Sequence, residues 1–416
     1  MGMRNYDVVV VGGGPAGCMA AKYAAKAGAS TLIIEEDAAI GEPVQCAGLI
    51  STRALEESEL RNRNSFINCE IKGAVVHSPS YELTLESPAQ RAFAIRRNIF
   101  DRELAKEAQK EGADIILDSK VKTVRKRDGE KKLTIITATT NGAKEIRAGV
   151  VIGADGVKST VAQLAGLTVA RSSLSCVQME VDYETGEDTF AEIFVGKSIA
   201  PGFFAWTIPL GAENRARIGL CIDKRVSSHS NPLLFLKRNL AEHPVIVKKY
   251  KGTVFSRTAG RIPIPVNAGL RGQRHRTVKI DDETGILLVG DAAAQIKPIT
   301  GGGVYYSMKC GKMAGAIAAQ ACLIEDMKVL NNYERRWRNE IGKEIAFGLK
   351  IHRLRCVMSD KDVDTIIHML SQSEILQRIK REGDMDYPSI VFSEFLTNPR
   401  LIKVMARNIL RYLYTR

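Results

Sequence analysis

The chain begins with an unbroken apolar run, VVVV at 8–11, that breaks sharply into the glycines of GGGPAG. A run without polar alternation reads as a strand covered on both faces, as in parallel sheets. PAGCMAAKYAAKAG follows, rich in helix formers, and then a second apolar run, TLIIE. Strand, glycine turn, helix, strand is the pattern of a parallel crossover unit. Residues 96–111, RRNIFDRELAKEAQKE, place apolar and charged positions at helical spacing. DIILD, VKTV and LTIITATT are short strand-like runs, with Asn141 and Gly142 as a hairpin turn before KEIRAGVVIGADG.

From about 170 to 270 the pattern changes to strands and turns, including FFAWTIPL, ARIGLCI and RIPIP. ILLVGDAAAQIKPITGGG then restores strand, glycine turn and helix, and the chain beyond 331 is helix-prone and charged. The expected fold is therefore α/β. A Rossmann-type nucleotide-binding domain, 1–66, 96–165 and 280–330, is interrupted by a sheet-rich substrate domain, 67–95 and 166–279, and followed by a helical C-terminal region, 331–416.

A length of 416 residues suits two or three such units, and 45% hydrophobic with 26% charged residues is an ordinary globular balance. The longest apolar helical stretch, around AGAIAAQACLIE, falls short of the ~20 residues that span a bilayer. No basic flank and cleavage site mark an export signal. The expected location is cytoplasmic, with any membrane contact peripheral on the inner face. A net charge of +13 attracts phosphates, anionic membranes or an acidic redox protein, but no aromatic-plus-basic motif or zinc module points to nucleic acid.

Eight cysteines, 18, 46, 69, 176, 221, 310, 322 and 356, are scattered without CxxC or a Cys/His spacing that reads as a zinc site, so no metal is expected. Reduced thiols are the reading for most of them, with a Cys310–Cys356 bridge as the pairing considered.

Gly12, Gly14 and Gly17 form GxGxxG between the first strand and its helix, with Ala16 inside the turn. The glycines permit a tight turn, close approach to a pyrophosphate, and helix–strand packing, while the helix N-terminus favours phosphate. Glu35 stands 18 residues after Gly17 at a strand end, where a carboxylate accepts hydrogen bonds from ribose hydroxyls. Asp291, after ILLVG, puts a second carboxylate at a strand end, and the glycines that follow open a helix whose N–H groups can stabilise negative charge on a reduced ring.

Three further segments decide which nucleotide. AIRRNIFD, VVIGADGVKST and ILLVGDAAAQIKPITGGGV resemble, in order, the motifs of the FAD-containing group that includes p-hydroxybenzoate hydroxylase. That resemblance implies FAD, with Arg97, Asp155, Asp291, Gly301, Gly302, Gly303 and Val304 at the flavin nucleotide and Val121 beside the adenine. No second GxGxxG follows a strand, so the reductant docks transiently.

Within that group, PVQCAGLIS at 43–51 and PGFFAWTIP at 201–209 resemble the geranylgeranyl reductase family, over about the first 330 residues. Pro201, Trp206 and Pro209 match its P-x-x-Y-x-W-x-F-P motif, while Phe204 replaces the tyrosine and Ile208 the phenylalanine. The resemblance implies saturation of geranylgeranyl chains in archaeal membrane lipids such as digeranylgeranylglycerophospholipid. It places Cys46, Ala47 and Gly48 at the flavin, with Cys46 and Gly48 catalytic. Phe204, Trp206 and Ile208, on one face of a strand by period two, become the wall of an apolar tunnel; on their own they suit an ordinary core strand equally. An unperturbed thiol is protonated at neutral pH, so Cys46 is the candidate proton source.

Two other readings compete. An aromatic monooxygenase or halogenase shares the scaffold, but hydroxylases of the group show Arg-Ala-Gly where this chain has Cys46, Ala47 and Gly48. A non-catalytic prenyl-binding escort protein would not need intact glycines, Glu35 and Asp291. Expected partners are a polyprenyl lipid and a transient donor: ferredoxin, NADPH or a deazaflavin. In NPRLIKVMARNILRYLYTR, Leu401, Met405, Ile409 and Leu413 share a helical face, with Arg400, Lys403, Arg407 and Arg411 largely opposite; the helix suits either a membrane surface or a solvated basic cap. RGQRHRTVK at 271–279 suits a lipid phosphate or a charged loop.

Overall fold

The apolar run at the N-terminus becomes Arg4–Val11, the central strand of the larger sheet, in a computed structural model. The structure describes residues 4–414 apart from 87–90, 141, 168, 187–188, 212–213, 228–230, 267–274, 373 and 393–398. Asn141 and the RGQR portion of the basic loop therefore lie outside the described residues. Arg4–Val11 pairs in parallel with Thr31–Ile34 on one side and Gly142–Gly153 on the other. Asp114–Ile116 and Gly285–Leu288 extend this parallel sheet, and Ser119–Lys126 and Leu133–Thr139 fold back onto it as an antiparallel excursion. Val8 and Val10 enter one core and Val9 and Val11 the other, so both faces are covered, as the unbroken run requires.

On one face the helix Pro15–Lys26 lies against Val304–Leu323. The crossing is close because Gly311 offers no side chain: a Cβ there would stand 2.3 Å from the Ala16 carbonyl oxygen. The turns that open these two helices are thereby set side by side at one end of the sheet.

The second sheet has seven strands in the order Tyr250–Pro265, Ala170–Tyr183, Arg215–Ile222, Phe204–Pro209, Phe190–Val195, Gly73–His77, Glu82–Glu86. Period-two alternation sorts its residues. Ala216, Ile218, Leu220 and Ile222 face the helix Pro232–Glu242, while Phe204, Trp206, Ile208 and Cys221 face the opposite core. A third sheet of Leu49–Ser51, Ala92–Ile95 and Ile67–Ile71 lies where the chain passes between the two larger ones.

The structure corrects the reading of the cysteines. Cys176 and Cys221 are bonded to each other, directly opposite in the antiparallel pair Ala170–Tyr183 and Arg215–Ile222, whereas Cys310 and Cys356 are free thiols. The partners are 45 residues apart and only strand register brings them together.

The C-terminal region is not a separate appendage. Asp360–Ser371 and Glu374–Glu382 pack Ile367, Leu370 and Leu376 against Leu83 of the second sheet's edge strand. Asp386 reaches the nucleotide-binding side: it accepts from Lys297 Nζ at 2.7 Å and the Ser51 hydroxyl at 2.5 Å, and its carbonyl accepts from Tyr306 at 2.7 Å. The last helix, Pro399–Tyr414, docks through Leu401, Val404 and Asn408 rather than along the face expected; Arg407 and Arg411 both pair with Asp362, and Ile402, Ile409, Leu410 and Leu413 remain exposed. Of Arg400, only its place in that helix is described.

Lys297 and Asp386 are both buried, so removing one strands the other's charge. Asp386→Ala should destabilise the protein by about 3–5 kcal/mol, read from urea unfolding, while the Lys297→Met/Asp386→Leu pair should recover much of that loss.

Candidate active site

Each glycine of the first turn has its own reason. Gly12 has φ +102° and a Cβ there would lie 2.4 Å from the Ala154 oxygen; at Gly17 it would lie 1.9 Å from the Gly12 oxygen. Gly14 is different: nothing stands within 4 Å of its added Cβ, so it opens onto free space at the start of the helix. Glu35 leaves the end of Thr31–Ile34 and accepts from the Gly13 N–H at 2.6 Å and the Asp37 N–H at 3.0 Å. Burial raises its carboxyl above the usual range, against those hydrogen bonds.

That free space is one end of a continuous cavity of about 1020 Å³. Gly14, Ala16, Glu35, Arg97, Asp291, Gly301, Gly302, Gly303 and Val304 line it. The Asp291 carboxylate accepts no hydrogen bond from a described residue, and burial raises its pKa to about 6 against the pull of Arg97. Such a carboxylate facing a cavity is suited to ribityl hydroxyls. Arg97 opens its helix with a bidentate contact to Asp101, Nε–Oδ1 3.1 Å and Nη2–Oδ2 2.9 Å. Burial opposes its charge, but the Asp101 carboxylate holds the guanidinium protonated, with Cys46 beside it.

Two expected cofactor contacts are placed otherwise. The Asp155 carboxylate accepts from Ser159 at 2.5 Å and from the Val161 N–H at 3.0 Å, so it braces the start of the helix Thr160–Ala165, while its neighbours Ala154 and Gly156 line the cavity. Val121 is buried in the core against the main sheet, outside the cavity lining.

Cys46, Ala47 and Leu49 line the middle of the cavity, where the polar part gives way to the apolar. Gly48 has φ +71°, and a Cβ there would meet Arg217 Nη1 at 2.3 Å and the Ile95 oxygen at 2.6 Å. Its N–H points at Cys46 Sγ, 3.4 Å away. Arg217 Nη1 donates to the carbonyls of Ala47 (3.1 Å) and Ile95 (2.8 Å), clamping the loop between the sheets. Gln178 Nε2 reaches the Cys46 carbonyl at 3.5 Å, while its Oε1 accepts from the Trp206 indole at 3.1 Å.

Beyond this loop the wall is apolar. Phe204, Trp206 and Ile208 all line the cavity from one face of their strand, together with the Cys176–Cys221 bridge. Trp206 lies over Gly219 of the neighbouring strand, where a Cβ would stand 2.5 Å from the indole. Ile367, Leu370 and Ile379 of the C-terminal helices close the far end.

Arg217, Gln178, Lys297 and the C-terminal lining went unmarked in the sequence reading. Lys297 stands inside the glycine motif, with its Cε 3.0 Å from where a Cβ at Gly302 would be. Only that placement could have singled it out.

Residues 5–322 match the family model described as FAD binding domain. The chain is 34% identical over 402 residues to digeranylgeranylglycerophospholipid reductase 2 of Methanothermobacter thermautotrophicus, covering 93% of this chain and 98% of that one. The chain belongs to the digeranylgeranylglycerophospholipid reductase family. It is a FAD-dependent oxidoreductase. A geranylgeranyl bacteriochlorophyll reductase-like protein of Thermoplasma acidophilum superposes with a TM-score of 0.83 at 28% identity, covering 98% of this chain and all of that one. The flavin-dependent brominase Bmp2 superposes with a TM-score of 0.66 at 19% identity over 95% of this chain and 99% of that one, and so shares the fold alone. No helix among the described residues is long and apolar enough to cross a membrane.

The open approach at Gly14 and the buried acceptor Asp291 fit FAD. An ionised carboxylate accepts from hydroxyls more strongly than a protonated one, and without cofactor Asp291 protonates as pH falls through about 6. FAD affinity should therefore weaken below about pH 6, and Asp291→Asn should bind FAD less tightly with a flatter pH dependence, as measured by flavin fluorescence titration.

Proposed function

We propose that this reductase saturates the carbon–carbon double bonds of geranylgeranyl chains in a membrane-lipid precursor of the digeranylgeranylglycerophospholipid class. The single observation supporting it is the change in character of one cavity: nucleotide-binding glycines and carboxylates at one end, Phe204, Trp206, Ile208 and the C-terminal apolar lining at the other, with Cys46 where they meet. FAD would be held by the turn at Gly12–Gly14–Gly17, by Glu35 at a ribose, by Asp291 at the ribityl chain, and by Gly301, Gly302, Gly303 and Val304 at the ring. Bound and reduced, FAD supplies the hydride.

The chain's own residues do the rest. An isolated alkene has no carbonyl to polarise, so it needs a dry, ordered site and a proton placed near one carbon. The aromatic strand and the C-terminal helices exclude water from the polyprenyl chain. Cys46, where the two parts of the cavity meet, would be the proton source. Lys297, paired with Asp386 and packed against Gly302, holds the glycine turn in place beside the ring site. Gln178 couples the indole of Trp206 to the Cys46 loop, so substrate wall and proton source move together.

The exposed Ile402, Ile409, Leu410 and Leu413 of the last helix support a peripheral contact with the membrane that stores the lipid. The net charge of +13 favours an acidic ferredoxin as donor.

The test is anaerobic: dithionite-reduced protein is mixed with digeranylgeranyl lipid, and flavin reoxidation and product mass are followed. Added hydrogen pairs are the expected result; no turnover without oxygen, or a hydroxylated product in a parallel sample to which oxygen is admitted, would overturn it. Cys46→Ala and Cys46→Ser should retain FAD and lose most alkene reduction, about 10²–10⁴-fold for loss of a general acid. Trp206→Ala should raise KM for the lipid far more than it weakens FAD.

A further inference from the structure

Behind the aromatic wall, outside the flavin cavity, three side chains converge from two elements. Asp223 follows directly on the strand Arg215–Ile222, and His352 and Cys356 stand one turn apart on the helix Lys343–Val357. Asp223 and His352 are buried, and Cys356 is half-buried. Their polar atoms form a small triangle: His352 Nε2 to Asp223 Oδ2 3.2 Å, Cys356 Sγ to Asp223 Oδ2 3.6 Å, and Cys356 Sγ to His352 Nε2 3.8 Å.

We infer that Asp223, His352 and Cys356 form a binding site for a zinc-like divalent cation, which clips the C-terminal helical region to the substrate sheet. Bond lengths of about 2.0–2.1 Å to nitrogen, 2.0–2.2 Å to oxygen and 2.3 Å to sulfur give tetrahedral ligand-to-ligand edges of roughly 3.3–3.6 Å. The three observed edges agree within a few tenths of an ångström. A mixed nitrogen, oxygen and sulfur set on a rigid helix and a strand end suits a borderline-soft cation and disfavours calcium or magnesium.

A network without a cation is the competing account. Arg225 binds both Asp223 oxygens, Nε to Oδ1 at 3.0 Å and Nη2 to Oδ2 at 2.5 Å, and its Nη2 lies 3.3 Å from His352 Nε2. In that account Arg225 Nη2 is shared between Asp223 Oδ2 and His352 Nε2, and the thiol is left with only long contacts, 3.6 Å to the same oxygen and 4.0 Å to the Gly202 carbonyl. A cation replaces the imidazole and thiol protons with one centre and leaves Arg225 on Oδ1; the Arg225 side chain is half exposed and has room to withdraw. Among the described residues His352 Nδ1 has no hydrogen-bond partner, so none of them fixes the tautomer of the ring. The fourth position falls to water or to the Gly202 carbonyl, 4.0 Å from Sγ.

The location gives the clip a purpose. The His352 ring is 6.1 Å from that of Phe203, and Arg355, between the two ligands in sequence, lies over Phe203 and Phe204 at 4.9 and 5.8 Å. Fixing this helix turn fixes the back of the aromatic wall.

The experiment uses the full FAD-loaded chain. After chelation and dialysis, cobalt(II) is added as the spectroscopic probe, and zinc is quantified by elemental analysis in a parallel sample. The expected result is about one equivalent of zinc retained, with tetrahedral cobalt d–d bands at wavelengths beyond the flavin's absorption and a zinc-dependent rise in melting temperature. Cys356→Ser and His352→Ala should each weaken binding by more than the roughly 10–100-fold typical of losing an outer-shell partner. Cys69→Ser should leave the bands unchanged. If either ligand variant fails to fold, the wild-type cobalt spectrum and zinc stoichiometry still decide. Absence of tetrahedral bands and of retained zinc in the wild type, or identical bands in a folded Cys356→Ser protein, would overturn the site.

Discussion

The guanidinium of Arg217 is buried between the two large sheets, with one nitrogen donating to the carbonyls of Ala47 and Ile95. Burial pulls its pKa below the ordinary arginine value, and Glu180 at 3.7 Å supplies the opposing charge. A guanidinium remains charged in such surroundings, so a buried nitrogen needs acceptors, and Nη1 fixes the carbonyls of Ala47 and Ile95 in that role. With that carbonyl held, Gly48 is driven into the left-handed region and Cys46 is turned toward the cavity. The Cys46–Leu49 loop thus has its geometry set from the second sheet, while the glycine turns belong to the first.

This arrangement resolves a conflict of solvents. A dinucleotide asks for phosphate-binding backbone, carboxylates and a helix N-terminus, whereas a polyprenyl chain asks for a dry apolar wall. The parallel sheet supplies the first at its strand ends, and the alternating antiparallel sheet supplies the second on one face. The join is only a few residues wide, from Cys46 to Leu49, and Gln178 and Trp206 brace it from below. The C-terminal helices complete the apolar end, and Asp386 ties the same segment to Lys297 beside the glycine turn, so closing the tunnel and positioning the ring are mechanically connected.

Much of the nucleotide end was legible in the chain because its determinants are local. The VVVV run, the glycine spacing, Glu35 and Asp291 each follow from the rules of one strand and its adjoining turn, and the structure assigns a distinct steric reason to Gly12 and to Gly17 and leaves Gly14 facing open space. The substrate strand was legible in outline, since period two alone puts Phe204, Trp206 and Ile208 on one face. Whether that face bordered a core or a cavity depended on what lay across from it, which no local pattern encodes. At Asp155, a motif aspartate expected at the cofactor, each carboxylate oxygen accepts from the start of a neighbouring helix, while the residues on either side of it line the cavity.

What the sequence by itself determined is therefore the parallel nucleotide-binding framework, its turn chemistry and the amphipathic sorting of each strand, because these depend on spacings of a few residues. Only the tertiary structure decided the Cys176–Cys221 bridge, the Arg217 clamp, the Lys297–Asp386 pair and the meeting of Asp223 with His352 and Cys356. Each joins residues tens to more than a hundred positions apart through strand register or helix docking. Such contacts are set by which surfaces pack together, and packing is a property of the whole chain rather than of any stretch of it.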